Sequence, residues 1–273
     1  MRPIPLLVEL CAGTAALSLR LHEEGARPPV SRMGAKTGYA DIILERMGLV
    51  PGQTADAYLW CEPEPGVRLL LLAYTDATLA RAAADVIRGW AKEDPRALWE
   101  RLKAEGPVRA PEPREVARWA IVTGNSVQKR PGVDPDWFTR PTGEGQKSAG
   151  AYAADLDDLP ELPATVLVEA VEPPRLPEGS WVYIDPPYQG TTGYAHDLPR
   201  EEVVRLARLW REAGAHVCIS EAEPIPDLVA EGWHVVEITG DRKGQKRTFS
   251  KQKREFLTMS REPRGQLGFW GLS

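Results

Sequence analysis

Short apolar runs alternate with amphipathic segments along most of this chain. Runs such as IPLLVEL at 4–10 and WVYI at 181–184 are rich in β-branched and aromatic residues, and they predict buried strands. The segment PREEVVRLARLWREAG at 199–214 carries apolar residues every three or four positions, which predicts a helix with one apolar face. Strands that alternate with helices predict an α/β fold with a mostly parallel sheet that helices cover on both faces.

The strand pattern recurs from the first residues to about position 260. The segments that show it are IPLLVEL, DAYLWC, ATVLVEAV, GSWVYI, AHVCIS, WHVVEITG and REFLTMS. A loop without a helix joins the last two, which predicts an antiparallel pair at the edge of the sheet. AALSLRLHEEG predicts a helix that Gly25 closes, whereas VRLLLLAY at 67–74 fits either a strand or an apolar helix.

The pattern changes between residues 76 and 159. Three helical segments separated by proline-containing boundaries are followed by a polar, Gly- and Pro-rich stretch at 123–150. A loop of this length inside a compact domain is typical of a functional segment. We therefore predict one sheet domain, built from 1–75 and 160–262, that a helical and loop insertion at 76–159 interrupts.

Composition narrows the class of protein. The 273 residues carry a net charge of −5, and no apolar stretch approaches the length of about 18 residues that a membrane helix needs. The apolar N-terminus superficially resembles a signal peptide, but Glu9 interrupts it. The three cysteines are widely spaced and the four histidines show no metal-ligand spacing. We expect a cytoplasmic protein with buried thiols, without a metal and without a membrane partner.

The ends of three predicted strands carry candidate chemistry. Open parallel sheets bind ligands beyond the carboxyl ends of their strands. After the first strand, Gly13 allows the backbone to approach a ligand closely. After the second, Glu62 can accept both ribose hydroxyls of a nucleoside cofactor, with Glu64 as its near competitor. After the strand WVYI, Asp185 precedes two prolines that stop the ladder and turn the chain rigidly.

These segments resemble the S-adenosylmethionine-dependent methyltransferases that act on exocyclic amines, and most of all the DNA adenine-N6 methylase family. VELCAGTAALS at 8–18 is similar to the family's cofactor motif I, and DPPY at 185–188 matches its catalytic motif IV. RMGAKTGYADIIL at 32–44 resembles its motif X. VCISEAEP and QKRTFSKQKREFLTMS follow its closing pattern of strand, basic loop and final strand. The resemblance covers most of 5–50 and 160–262.

The resemblance implies a Rossmann-like class I methyltransferase sheet, with S-adenosylmethionine as cofactor and double-stranded DNA as substrate. It implies that Asp185 and the carbonyl of Pro186 accept the two amino hydrogens of a flipped-out base, that Pro187 stiffens the turn and that Tyr188 stacks on the base. The residues that it places at the cofactor are Glu9, Cys11, Ala12, Gly13, Thr14, Ala15, Met33, Gly34, Lys36, Glu62, Glu169, Ala170 and Asp185.

Two positions depart from the family's pattern. Ala15 stands where the family usually has a second glycine, so its methyl group narrows the space around a cofactor. Motif X normally precedes motif I, whereas the loop that carries Lys36 follows it here. A permuted loop can still reach the same pocket, because contact depends on distance in space and not on order along the chain.

Contacts with DNA are expected from two polar segments, since the chain as a whole is acidic. Residues 242–254 hold seven Lys and Arg and no acid, which predicts phosphate contacts that weaken as salt rises. GNSVQKR at 124–130, inside the insertion expected to recognise the target, offers amides and cations that suit base edges. The residues predicted to contact DNA are Asn125, Gln128, Lys129, Arg130, Arg242, Lys243, Lys246, Arg247 and Lys251.

Three alternatives stay open. A DNA cytosine-N4 methyltransferase uses a similar tetrapeptide that more often begins with Ser, and RNA or protein-amide methylases typically begin it with Asn. A non-catalytic DNA-binding relative is the third, and Ala15 is its one hint. A dinucleotide-dependent oxidoreductase is disfavoured because no G-x-G-x-x-G follows the first strand. The oligomeric state is left open.

Overall fold

A computed structural model of the chain describes residues 2–30, 36–107, 109–126, 147–169, 172–173, 175–188, 198–239 and 254–264. These residues contain a seven-stranded sheet of order β3-β2-β1-β4-β5-β7-β6. The strands are β1 Ile4–Leu10, β2 Ala55–Cys61, β3 Ala164–Leu167, β4 Trp181–Ile184, β5 His216–Glu221, β6 His234–Glu237 and β7 Phe256–Met259. The helices are α1 Ala16–His22, α2 Ala40–Met47, α3 Pro65–Ala73, α4 Ala77–Gly89, α5 Pro95–Ala104, α6 Pro113–Asn125, α7 Ala149–Asp157, α8 Arg200–Glu212 and α9 Pro226–Ala230.

The sheet confirms the predicted α/β fold. Strands β1 to β5 pair in parallel, and β7 pairs antiparallel with both β5 and β6. The predicted antiparallel pair therefore lies at the sheet edge, with β7 inserted between β5 and the outermost strand β6. The strand order reverses between β1 and β4, which are neighbours although β2 and β3 separate them in sequence. Such a reversal is where open α/β sheets form a ligand-binding crevice.

Side chains alternate between the two faces along each strand, and the side chains of each face pack in a different hydrophobic core. Tyr183 and Cys218 are register partners, and both belong to the cluster that α1 and α2 cover. Val182 and Val217 point the other way, into the cluster that α8 and α9 cover. Both faces are thus buried, as the apolar strand runs require. Because β4 and β5 are parallel, the residues at their carboxyl ends on the Tyr183 face lie at the same edge of the sheet.

The segment VRLLLLAY, which the pattern left open, is helical. Glu64 caps α3 by accepting a hydrogen bond from Gly66 N, and Pro65 occupies the first turn, where a proline is well tolerated. Apart from Arg68, the helix is apolar on all sides because it packs on two of them: Val67 lies in the core of the sheet, and Leu70 lies in a second core formed with the insertion helices.

The insertion consists of α4 to α7, packed on the outer side of α3. Trp119 of α6 lies directly on Gly66, where a Cβ atom would be 2.7 Å from the indole ring. Helix α6 extends to Asn125, beyond the predicted end of its apolar pattern. Helix α7 was not predicted, and Ser148 caps it by accepting from Ala151 N. Among the described residues, no helix has both the length and the apolar character needed to cross a membrane.

Candidate functional site

The turn after β1 has a backbone conformation that glycine favours. Cys11, Gly13 and Ala15 have φ angles of 61°, 54° and 47°, so three alternate residues are left-handed. Ala15 is fully buried, and it begins α1 without a side-chain cap. Ala15, which stands where the methylases that the sequence resembles usually have glycine, therefore has a glycine-like backbone, and its methyl group packs in the core.

Glu62 ties the end of β2 to this turn. Its carboxylate is buried and accepts hydrogen bonds from Gly13 N at 2.8 Å and from Glu64 N at 3.0 Å. Its neighbour Glu64 is committed to capping α3. Of the two competing acids, Glu62 is thus the one that contacts the glycine turn.

Glu9 performs the cap that Ala15 cannot supply. It is 2% exposed, and its Oε1 accepts from both the backbone N and the hydroxyl of Ser18, in the first turn of α1. Trp60 in turn donates to the Ser18 hydroxyl at 2.9 Å. Burial raises the pKa of Glu9 to about 7, and the charge of Asp185 adds to this effect. Glu9 therefore holds α1 against the sheet, next to the predicted cofactor turn.

Asp185 lies at the point where the strand order reverses. Leu10 and Ile184 are register partners, and Asp185 N donates to Leu10 O at 3.3 Å, which sets it beside Cys11. Asp185, Cys11, Glu62 and Glu221, at or just after the ends of β4, β1, β2 and β5, form what we call the carboxyl rim. Asp185 is thus next to the glycine turn, as the sequence pattern predicted.

The carboxylate of Asp185 is held by one of its two oxygens. Oδ1 accepts from Lys36 Nζ at 2.6 Å and from Ser220 Oγ at 2.9 Å. Within the part of the chain that the structure describes, Oδ2 makes no hydrogen bond, and the side chain is 18% exposed. One oxygen is therefore committed to the protein and the other is available to a ligand.

Lys36 reaches this carboxylate from a short 3-10 helix at Lys36–Gly38. The residue is 6% exposed, and its Nζ lies 4.8 Å from the centroid of the Tyr188 ring and 3.8 Å from Glu255 Oε1. Burial acts to lower the pKa of Lys36, but the nearby carboxylates of Asp185 and Glu255 outweigh it and hold this pKa well above its usual value. Lys36 therefore carries its charge at neutral pH.

Tyr188 is oriented from β7. Its hydroxyl donates to Glu255 Oε1, and Glu255 immediately precedes β7. Because β7 runs opposite to β5, the start of β7 lies at the same rim as the ends of β4 and β5. Burial raises the pKa of the Tyr188 hydroxyl far above its usual value, so this group remains a donor.

Sequence reasoning did not single out four residues that the structure brings to this site or beside it. Three of them, Tyr183, Ser220 and Glu255, bond directly or through one another to Asp185 or Tyr188. The fourth, Glu221, lies 3.3 Å from Arg200, and burial raises its pKa to about 7. The signal available for Ser220 and Glu255 was their position at the ends of predicted strands, in segments quoted for the family resemblance.

Two predicted site residues take no part in the contacts described above. Glu169 is exposed, two residues beyond the end of β3. Asn125 was expected to contact base edges, but it is 4% exposed at the end of α6 and accepts from the hydroxyl of Tyr152 at 3.3 Å. In the described part of the structure its amide thus contacts α7, and its contact with base edges stays a prediction. The predicted residues outside the described part of the chain are Met33, Gly34, Ala170, Gln128, Lys129, Arg130, Arg242, Lys243, Lys246, Arg247 and Lys251.

The described residues contain no group of three or more His, Cys, Asp or Glu placed to hold a metal ion. Comparison with known proteins adds no identification: no family model matches the chain, and no curated protein is significantly similar to it. The chemistry of this site must therefore be argued from its fold and its contacts.

Proposed function

We propose that this chain is an S-adenosylmethionine-dependent methyltransferase that acts on the exocyclic N6 amine of adenine in double-stranded DNA. The observation that carries the proposal is the position of Asp185 and the hydrogen bonding of its carboxylate. It stands at the strand-order reversal, one oxygen is fixed by Lys36 and Ser220, and the other oxygen is available. A carboxylate arranged in this way suits the acceptance of a hydrogen bond from an incoming amine.

The fold supports the same class. A mostly parallel sheet with an antiparallel strand near one edge is what the resemblance to class I methyltransferases implies. The crevice of such a sheet lies above the β1 and β4 ends, and here it contains both the glycine turn and Asp185. Cofactor and target would therefore meet across two adjacent strands.

The residues at the β1 turn fit a nucleoside cofactor. The hydroxyl of Thr14 is buried and finds no hydrogen-bond partner among the described residues, as expected of a group that awaits a ligand. Gly13 has open space where a Cβ would point, the nearest atom being 4.0 Å away. Each Glu62 oxygen accepts from one backbone amide, and a carboxylate at this strand end is the type of group that binds ribose hydroxyls.

The chemistry assigned to the protein is the activation of a poor nucleophile. The lone pair of an adenine amine is delocalised into the ring, and bound S-adenosylmethionine supplies an activated methyl group on a sulfonium. Asp185 Oδ2 and the Pro186 carbonyl each accept one amine hydrogen, so that the nitrogen can pyramidalise toward the methyl group. The N–C bond would form as the C–S bond breaks, S-adenosylhomocysteine would leave as a neutral thioether, and Asp185 Oδ2 would accept the proton that the cationic nitrogen loses.

Tyr188 provides the surface for the base. Its ring is fixed at the hydroxyl by Glu255, and Lys36 lies over one of its faces. A stacked adenine takes the opposite face or displaces the ammonium from the ring. In either case the base must leave the duplex, since a paired amine cannot reach a carboxylate at a sheet rim.

The test is direct. The full chain is incubated with methyl-labelled S-adenosylmethionine and unmethylated genomic DNA, and the DNA is digested to nucleosides. We expect N6-methyladenine in one short sequence motif, and we expect Asp185→Ala to lose at least about 100-fold in turnover while it binds the cofactor normally in calorimetry. N4-methylcytosine would identify the cytosine alternative. Cofactor binding without any transfer would identify a non-catalytic relative.

A further inference from the structure

We propose that Ser220 is a positioning residue for methyl transfer. Its hydroxyl, which is itself held by Tyr183, donates to Asp185 Oδ1, so that Oδ2 is the oxygen left to accept from the amine. The inference rests on the proposed function, because it concerns how the same carboxylate is oriented. It adds a relay of two hydroxyl groups on adjacent strands that lies outside the DPPY tetrapeptide.

Strand register brings these three residues together. Tyr183 pairs with Cys218 and Ile184 with Ile219, so the next pair along β4 and β5 is Asp185 beside Ser220. Residues two apart share a face of the sheet, which aligns Tyr183, Asp185 and Ser220. The contacts follow: Tyr183 OH lies 2.8 Å from Ser220 Oγ, and Ser220 Oγ lies 2.9 Å from Asp185 Oδ1.

The direction of the relay is fixed by the chemistry of its members. An ionised carboxylate only accepts, so the single proton of Ser220 must point to Asp185. The serine oxygen then has a lone pair free to accept from Tyr183. Tyr183 is 1% exposed and remains protonated, because burial raises the pKa of its hydroxyl well above the usual value. Tyr183 therefore donates to Ser220, and the proton of Ser220 is left to point to Asp185.

The two oxygens of Asp185 become inequivalent as a result. Oδ1 has two donors, one neutral and one cationic, and rotation of the carboxylate would break both bonds. Lys36 is carried by a separate loop, whereas Ser220 lies in β5 with no exposed surface. Ser220 is thus the rigid member of the pair, and it presets the acceptor before substrate arrives. Such preorganisation affects the chemical step more than the binding of either substrate.

The experiment measures steady-state methylation of a DNA duplex that contains the motif found with genomic DNA. We expect Ser220→Ala to lower kcat about 10- to 100-fold, with the KM for DNA and the Kd for S-adenosylmethionine unchanged within about 2-fold. Tyr183→Phe is expected to lower kcat by a smaller factor. Adding Tyr183→Phe to Ser220→Ala should have no further effect on kcat, because both changes interrupt one relay.

Ser180→Ala is the matched control. Ser180 is also fully buried, but it precedes β4 at the opposite end of the sheet, where its hydroxyl donates to Pro177 O at 2.7 Å. It should alter melting temperature without altering kcat. Equal kcat values in wild type, Ser220→Ala and Tyr183→Phe would overturn the inference, as would multiplicative effects in the double variant. If Ser220→Ala does not fold, Tyr183→Phe alone decides by the same criterion. A wild-type chain that transfers no methyl group would refute the proposed function instead.

Discussion

At the scale of single residues, the centre of the site is a pair that lies 149 positions apart in the chain, Lys36 and Asp185. Few contacts of this kind can be read from sequence, because neither partner indicates the other. The resemblance to motif X predicted Lys36 at the cofactor, which stays a prediction, and in the structure its ammonium contacts the carboxylate of Asp185. The permuted loop thus delivers its cation to the residue proposed to activate the amine.

Replacing Lys36 tests this placement. We expect Lys36→Met to lower kcat about 100-fold, because it removes the cation that fixes Oδ1, while cofactor affinity stays within a few-fold. Steady-state methylation and calorimetry separate the two effects. Lys92→Met, at an exposed position in the insertion, is the control and should leave both values unchanged. A higher kcat/KM in Lys36→Met would mean that Lys36 only obstructs the base, and a selective loss of cofactor affinity would restore the role in cofactor binding.

Glu9 gives a pH-dependent prediction. Its pKa in the folded protein is raised from 4.5 to about 7, so the native state binds a proton that the unfolded chain releases between these values. Its contribution to stability is fully present below about pH 4.5 and is lost as the pH rises through 7. Glu9→Gln keeps the acceptor for Ser18 without a charge. The stability of the variant relative to wild type should rise by roughly 2–3 kcal/mol between pH 5 and pH 8.

Urea unfolding at pH 5, 6, 7 and 8 measures this difference. The control is Glu237→Gln, because the guanidinium of Arg254 and the hydroxyl of Thr239 lower the pKa of Glu237 to about 2, and its charge is constant over this range. The difference between wild type and the Glu237 variant should therefore stay flat. A flat difference for Glu9→Gln as well would mean that Glu9 is ionised throughout.

At the scale of elements, Gly13 in the turn between β1 and α1 is required for its left-handed backbone conformation more than for the small size of its side chain. Gly13 has φ +54°, and the nearest atom to an added Cβ is Cys11 O at 4.0 Å, so Gly13→Ala isolates the dihedral cost without a steric clash. We expect the free energy of unfolding to fall by about 1–2 kcal/mol. Gly89→Ala, at the end of α4 with open space and no positive φ, should instead raise it by up to about 1 kcal/mol. Thermal unfolding of both variants measures the contrast, and a drop of equal size in each would point to packing.

The strands could be predicted from the local sequence, whereas two of the helices could not. Each of the seven strand patterns corresponds to a strand, because β-branched and aromatic residues favour strands whether the strand is buried on both faces, as β4 is, or largely exposed, as β6 is. Helix α1 ends at His22 and not at Gly25, which lies in the turn that follows with φ +92°. Helix α3 could not be decided from VRLLLLAY, since a helix buried on two sides loses its periodicity. Helix α7 was missed because its short Ala-rich sequence follows a Gly- and Pro-rich loop.

At the scale of the molecule, α3 joins two cores. Val67 packs with the sheet and Leu70 packs with α4 and α6, so that one helix serves both the sheet and the insertion. Leu70→Ala should lower the free energy of unfolding by about 2–5 kcal/mol and leave a single transition. Val50→Ala, at an exposed apolar position, should change it by less than about 0.5 kcal/mol. Far-ultraviolet circular dichroism and tryptophan fluorescence should give coincident curves, and two separated transitions would show that 76–159 unfolds on its own.

The site illustrates why function is harder to predict than fold. The predicted strand ends correctly placed Glu62 and Asp185 at the carboxyl rim and Gly13 beside it, because sheet topology alone brings strand ends together. Ser220 and Glu255 could not be assigned, because their roles depend on which strand lies next to which and on the reversed direction of β7. The predicted start of the loop at residue 123 was wrong, because the polar segment up to Asn125 proved to be the buried end of helix α6.

The insertion of β7 between β5 and β6 has a consequence for synthesis of the chain. In the described sheet, β6 pairs only with β7, so β6 cannot dock until residues 256–259 have left the ribosome. The same segment delivers Glu255, the anchor of the Tyr188 ring. A nascent polypeptide that already contains Asp185 and the glycine turn therefore still lacks the group that anchors Tyr188, and the proposed methyl transfer would have to wait until β7 has been translated.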